Sequence, residues 1–379
     1  MTILVWQNRQ PQASRARLSS PRVAIVHYWL VSMRGGERVV ERLLDLFPQA
    51  DLFTHVYDAS RMSTAIASRK VTTSFIDRLP FSKRLYQYYL PLMPMALEEF
   101  DLSDYDLIIS SESGPAKGII TRPGSLHVCY CHSPMRYLWD HYHQYKAQAN
   151  PLARLAMPAM YSRLRQWDVT SSARVDRIAA NSRFVSKRIA KVWRRDADVI
   201  HPPVDTILFT PSLDLDDYYL WVGQLVPYKR PDLAVEAFTK SGLPLVMVGT
   251  GSMARQLRAR AGPNIHFVER MTFNELRRAY ARCKALVMTA EEDFGITPVE
   301  AMASGRPVIA YGRGGVLDSV VEDLTGTFFA HQQVESLIDA VAEFERFLPH
   351  FDPLDAVREA RRFIPEVFDE KITAMTGTA

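Results

Sequence analysis

Only three cysteines occur in 379 residues: Cys129, Cys131 and Cys283. They are too few and too scattered for a disulfide framework. Cys129 and Cys131 alternate along a strand-like run, which suits buried packing better than metal or redox work. Long hydrophobic runs are also missing. The chain is 47% hydrophobic, yet no stretch reaches the roughly 18 apolar residues that cross a bilayer. The first 20 residues hold too short an apolar patch for a signal peptide. They read as a flexible extension, and the protein is expected in the cytosol. Neither half carries a complete GxGxxG, so a dehydrogenase is the weakest enzyme reading. No nucleic-acid module and no internal repeat is visible.

What is present is an ordinary globular composition of two-domain length, with 23% charged and 11% aromatic residues. The charge is unevenly placed. Residues 1–200 hold 28 Lys/Arg against 17 Asp/Glu, and residues 201–379 hold 18 against 25. The basic half either meets an anionic surface or docks the acidic half. Residues 69–100 interleave Lys70, Arg78, Lys83 and Arg84 with Phe75, Phe81, Tyr86, Tyr88 and Tyr89. That mixture suits a membrane interface, and equally a core with a solvated face.

Apolar strands alternate with helical periodicity throughout, which predicts an α/β fold with parallel sheets. Val23–His27 runs through the glycine turn Gly35-Gly36 into a helix. Strands follow at 52–55, 106–110, 126–131 and 177–180. Asn181-Ser182 then caps a basic helix. The proline-rich junction at 199–205 divides the chain, and the βα rhythm restarts with strands at 219–223, 244–249 and 265–268. The expected organisation is an extension 1–20, a first Rossmann-like domain 21–203, a second 204–352, and a helical tail 353–379 that returns to the first domain.

The stretch Glu291–Val320 is the richest in chemistry. A buried strand at 285–289 leads into the acidic turn Glu291-Glu292-Asp293-Phe294-Gly295. Thr297 fits a helix cap, Pro298 the first helical position, and Glu300 the third residue after the cap. A capping box alone would explain Glu300, and solvation alone would explain Glu292. The functional alternative is a phosphate site at a helix N-terminus beside a strand end. His132, just past the strand 126–131, is a second candidate, although a lone histidine is more often structural.

Several motifs then occur in order: Gly35-Gly36, His132, ANSRF around Asn181, VGQLVPYKRPD at 222–232, VGTGS at 248–252 and EEDFGITPVEAMASG at 291–305. Together they resemble the retaining GT-B glycosyltransferases of family 4, which use nucleotide-activated sugars. The similarity covers nearly everything from residue 22 onward. CHSPMRYLWD at 131–140 further resembles mannosyltransferases that build bacterial O-antigens or exopolysaccharides on a lipid carrier.

The resemblance implies two Rossmann-like domains facing across a cleft. It implies that Glu300 holds the ribose and that Glu292 contacts hydroxyls of the donor sugar. Phe294, Gly295, Ile296 and Thr297 would lie along the diphosphate–sugar. Lys229, with Arg230 close by, would neutralise the diphosphate. His132 would face the transferred sugar, and Gly35 and Gly36 would let the first domain approach the donor phosphate. Gln224, Gly249 and Arg270 complete the nucleotide-sugar set. Gln224 stands where the family usually has arginine, Glu269 where glycine is common, and Asp318 where glutamate is more usual.

The expected reaction is therefore retaining transfer of a hexose. The first choice is mannose from GDP-mannose to a polyprenyl-diphosphate-linked saccharide, on the inner face of the plasma membrane. No metal or other cofactor is required by this reading. The alternatives are transfer of glucose from UDP-glucose and a sugar-nucleotide 2-epimerase of the same fold.

Overall fold

A computed structural model describes residues 21–212 and 214–378. The extension 1–20 lies outside the described residues. The first sheet comprises β1 (Val23–His27), β2 (Asp51–Thr54), β3 (Val71–Thr73), β4 (Leu107–Glu112), β5 (Leu126–Cys131), β6 (Arg177–Ala180) and β7 (Asp198–Val199). Their spatial order is β3-β2-β1-β4-β5-β6-β7. The second sheet comprises β8 (Tyr219–Val222), β9 (Leu245–Val248), β10 (Ile265–Val268), β11 (Leu286–Met288), β12 (Val308–Tyr311) and β13 (Gly326–Phe329). Its order is β10-β9-β8-β11-β12-β13. All strand pairings are parallel.

The apolar runs explain these sheets. β1, VAIVH, and β12, VIAY, are buried at every position. Strands covered by helices on both faces must be apolar throughout rather than alternating. Each sheet reverses its strand order once, between β1 and β4 and between β8 and β11. Such a reversal opens a crevice at the carboxyl ends of the two strands, because the flanking connections leave on opposite faces. The Gly35 turn follows β1, the Lys229 loop follows β8, and Glu292 follows β11.

The tail is divided between the domains. The helix Pro353–Ala360 buries Ala356 and Ala360 against Val299, Met302 and Val308 of the second domain. The helix Pro365–Thr376 buries Phe368, Ile372 and Met375 among Ile25, Leu107 and Tyr130 of the first. The 69–100 stretch is also divided. Ile76, Leu90, Met93, Ala96 and Leu97 are buried, whereas Phe81 is 77% and Tyr88 73% exposed. All three cysteines are buried and unbonded. No described helix is long and apolar enough to cross a membrane.

Candidate active site

Lys229 and Glu292 meet at the crevice of the second sheet, Nζ to Oε1, at 2.8 Å. The loop after β8 presents the lysine, and Thr289 Oγ1 braces it by donating to the Lys229 carbonyl at 2.9 Å. Burial disfavours the ammonium, but Glu292 outweighs it and holds the Lys229 pKa above the ordinary lysine value. Arg230 turns away. It adopts a left-handed conformation, φ 51°, and its guanidinium binds Asp232 at 3.0 Å. It is thus already neutralised, unlike the second diphosphate cation expected from its position. Gln224 is exposed beside this loop, and Arg270 is exposed beyond β10.

Gly249 follows β9 with φ 146°, and a Cβ there would stand 1.8 Å from the Gly223 carbonyl oxygen. Glycine is required because two backbones touch.

The acidic turn differs from the capping box read in the sequence. The helix starts at Ile296, not after Thr297, and its N-cap is Gly295 with φ 89°. Thr297 caps nothing, Pro298 is the third helical residue, and Glu300 lies inside the helix. A positive φ at Gly295 lets the chain turn into the helix two residues earlier than a cap at Thr297 would. The first amides of that helix have no intrahelical acceptors and favour an anion. Phe294 contributes its backbone alone to this turn. Its side chain is buried in the second domain's core, 5.4 Å from the Phe363 ring centre. Only its backbone can follow a ligand.

Glu300 is buried, and Tyr280 donates its hydroxyl to Oε2 at 2.8 Å. Burial raises its pKa, opposed by that bond and by Arg38 from the first domain. Oε1 has no partner among the described residues, which leaves it available to a hydroxyl.

The first domain closes over this surface. A Cβ on Gly35 would lie 3.1 Å from Ile296 Cδ1, and one on Gly36 would lie 3.5 Å from His132 Nε2. The residues expected in both walls are therefore brought together. His132 follows β5, and its ring packs edge-on to Tyr130 at 5.1 Å. Burial, helped by neighbouring His27, pushes its pKa down to about 3, so the imidazole is neutral at pH 7.

Sequence reasoning missed the clamps between the domains. Arg188 donates to Asp293 Oδ1 at 2.7 Å and to Ser133 Oγ at 2.8 Å. Arg136, inside the 131–140 motif, lies 3.8 Å from both Glu291 and Asp293. Asp318 accepts from the Arg183 amide at 2.7 Å and pairs with His201 at 3.0 Å. Burial works against its charge, but His201 and Arg183 hold its pKa down at about 2. The available signal was opposite charges in loops at facing strand ends.

A hollow of about 490 Å³ opens one strand beyond, at the end of β12, lined by the cations Arg183, Lys187 and Arg313, the carboxylates Glu291 and Asp318, and Leu317. It adjoins the Lys229–Glu292 pair rather than containing it.

Two facing Rossmann-like domains, each built on a parallel sheet with one switch point, define the GT-B class. The family model "Glycosyltransferase Family 4" matches residues 33–208, and "Glycosyl transferases group 1" matches residues 210–347. The chain belongs to this group 1/family 4 set of GT-B glycosyltransferases.

It is 30% identical over 193 residues to D-inositol 3-phosphate glycosyltransferase of Mycolicibacterium paratuberculosis, an overlap of 44% of each chain. The Mycobacterium leprae protein of the same name is 29% identical over 199 residues, covering 45% of this chain and 46% of that one. The chain thus spans less than half the length of these curated relatives.

Among solved structures it is similar to Anabaena Alr3699/HepE in complex with UDP and glucose, with TM-score 0.68 and 15% identity over 95% of this chain and 100% of that one. It is also similar to the sucrose-phosphate synthase of Thermosynechococcus elongatus, with TM-score 0.68 and 17% identity over 94% and 98%. The apo lipopolysaccharide outer core galactosyltransferase WaaB gives TM-score 0.65 and 16% identity over 94% and 100%. At these identities the structures establish the fold alone.

Proposed function

We propose that the chain transfers a hexose from a nucleoside-diphosphate sugar to a saccharide on a polyprenyl-diphosphate carrier, with retention of anomeric configuration. Mannose from GDP-mannose is the first choice. The product belongs to bacterial surface polysaccharide synthesis. The observation that carries the reading is the Lys229–Glu292 pair at 2.8 Å, set opposite Gly35, Gly36 and His132.

The chemistry fits those residues. Departure of a nucleoside diphosphate builds negative charge, which Lys229 and the helix start at Ile296 can stabilise. Glu300 Oε1 suits a ribose hydroxyl, and Glu292 suits hydroxyls of the sugar. The acceptor attacks from the face that the diphosphate leaves, and a phosphate oxygen takes its proton. No protein carboxylate needs the two-acid role of a hydrolase. Domain closure keeps water from the donor. Neither residue of the Lys229–Glu292 pair needs a metal for these roles.

Two features support an anionic, lipid-borne acceptor. Lys187 and Arg313, in the hollow beyond β12, form no ion pair among the described residues, which suits an acceptor diphosphate. Phe81, Tyr88, Leu152 and Leu155 are each more than 70% exposed on the basic first domain. Exposed apolar side chains among basic ones suit the anionic inner face of the plasma membrane.

A second reading has the same chemistry with a UDP-hexose. It is favoured by the fold's likeness to a protein solved with UDP and glucose. The test is incubation of purified protein and lipid-linked saccharides with GDP-mannose or UDP-glucose, followed by mass analysis. The expected product is acceptor heavier by one hexose. An epimerised nucleotide sugar formed without acceptor would instead establish the isomerase.

A further inference from the structure

His132 does not stand alone. Its Nε2 lies 2.8 Å from Ser111 Oγ, which in turn lies 3.0 Å from His27 Nδ1. His27 Nε2 is buried without a hydrogen-bond partner among the described residues, and its nearest acid is Glu37 Oε1 at 3.6 Å. His27, Ser111 and Glu37 are almost wholly excluded from solvent. Glu37 Oε2 accepts the Arg34 amide proton at 2.8 Å. Four polar groups thus form a line from the first turn of the helix Gly35–Leu46 to the cleft.

The line has a direction. A carboxylate in the first turn of a helix, already bonded to an amide, is favoured as the anion. An anionic Glu37 draws the His27 proton onto Nε2, the nitrogen that faces it. His27 Nδ1 is then a lone pair, so Ser111 must donate to it. A hydroxyl has only one proton, so Ser111 offers His132 nothing but lone pairs. His132 must therefore donate from Nε2. Its Nδ1 is left unprotonated, has no partner among the described residues, and is not among the enclosed polar atoms. Gly36 keeps the group compact, since a Cβ there would stand 2.8 Å from the Tyr28 hydroxyl oxygen, in contact with His132 and His27.

We infer that Glu37, His27 and Ser111 are positioning residues. They hold His132 in the Nε2–H tautomer and present Nδ1 to the cleft as an acceptor for a sugar hydroxyl. The sugar's identity rests on the function proposed above; the tautomer does not. The same tie fixes the ring plane, because rotation about the Cβ–Cγ bond would break the Ser111 contact.

Two-bond proton–nitrogen spectra of the full chain, labelled with 15N-histidine, read the tautomer directly. The signal lost in His132→Asn assigns the residue among ten histidines. At pH 7 the expected wild-type result is protonated Nε2 and bare Nδ1. Ser111→Ala should give a mixture of tautomers, and Ser111→Thr should retain the wild-type form. With GDP-mannose or UDP-glucose as probe, Ser111→Ala should release nucleoside diphosphate with kcat about tenfold lower and KM unchanged. A wild-type His132 protonated on Nδ1 would overturn the proposal, whatever the variants do. So would an unaltered tautomer in both folded Ser111→Ala and Glu37→Gln. The expected spectrum with no turnover of either sugar would support the relay and count against the proposed function.

Discussion

Replacing Lys229 by alanine separates catalysis from stability. Lys229 and Glu292 are 21% and 24% exposed, so their ion pair is partly wet. A pair of that kind contributes at most about 1 kcal/mol to folding. The melting temperature should move by only a few degrees. The loss at the diphosphate is larger. Removing one preorganised donor from a site of developing charge costs on the order of 10²–10³ in kcat, about 2.7–4 kcal/mol. Neither neighbour on its own loop replaces it, since Arg230 is bound to Asp232 and Gln224 carries no charge. The variant also leaves Glu292 facing the incoming diphosphate, which weakens donor binding. The assay is steady-state release of nucleoside diphosphate, with thermal melts of the same preparation. Turnover within about twofold of wild type in folded Lys229→Ala would refute the diphosphate assignment.

Further outcomes follow from other contacts. Glu300→Gln should raise the KM for donor about tenfold while changing kcat less, because a charge-assisted bond to a hydroxyl is lost. Gly249→Ala should cost at least about 2 kcal/mol in denaturant unfolding, since its Cβ would meet the Gly223 carbonyl at 1.8 Å. Asp318, held down to about 2, contributes stability that is full above its unfolded value near 4 and lost as pH falls toward 2. The stability gap between wild type and Asp318→Asn should therefore narrow from about 2 kcal/mol to near zero across that window. Serine at Phe81, Leu152 and Leu155 should abolish flotation on anionic vesicles at low salt. Unchanged flotation would remove that surface from the membrane contact.

The two-sheet plan was legible because buried parallel strands are continuous apolar runs. Val23–His27, Leu126–Cys131, Arg177–Ala180 and Ile265–Val268 coincide with the sequence bounds. The helix start at 296 was misplaced because Thr297-Pro298-x-Glu300 imitates a capping box, while Gly295 permits a positive φ without requiring it. The burial of the Phe294 side chain was not legible for a related reason: in a turn, periodicity does not say which side chain points inward. The pairing of Lys229 with Glu292 joins two loops far apart in the sequence and needed the strand order β8-β11. His27 and Ser111 escaped notice because polar residues at the ends of apolar strands look like ordinary strand ends. Their role emerges only when β1, β4 and β5 set His27, Ser111 and His132 side by side.

The proposed transfer requires that a nucleoside-diphosphate sugar be held at Lys229. Calorimetric titration of the wild-type protein and Lys229→Ala with GDP-mannose and UDP-glucose tests it most directly. Wild type should bind one of them saturably, and the variant should bind it at least about tenfold more weakly. Equal affinity in the two proteins, or binding of neither sugar by the wild type, would contradict it.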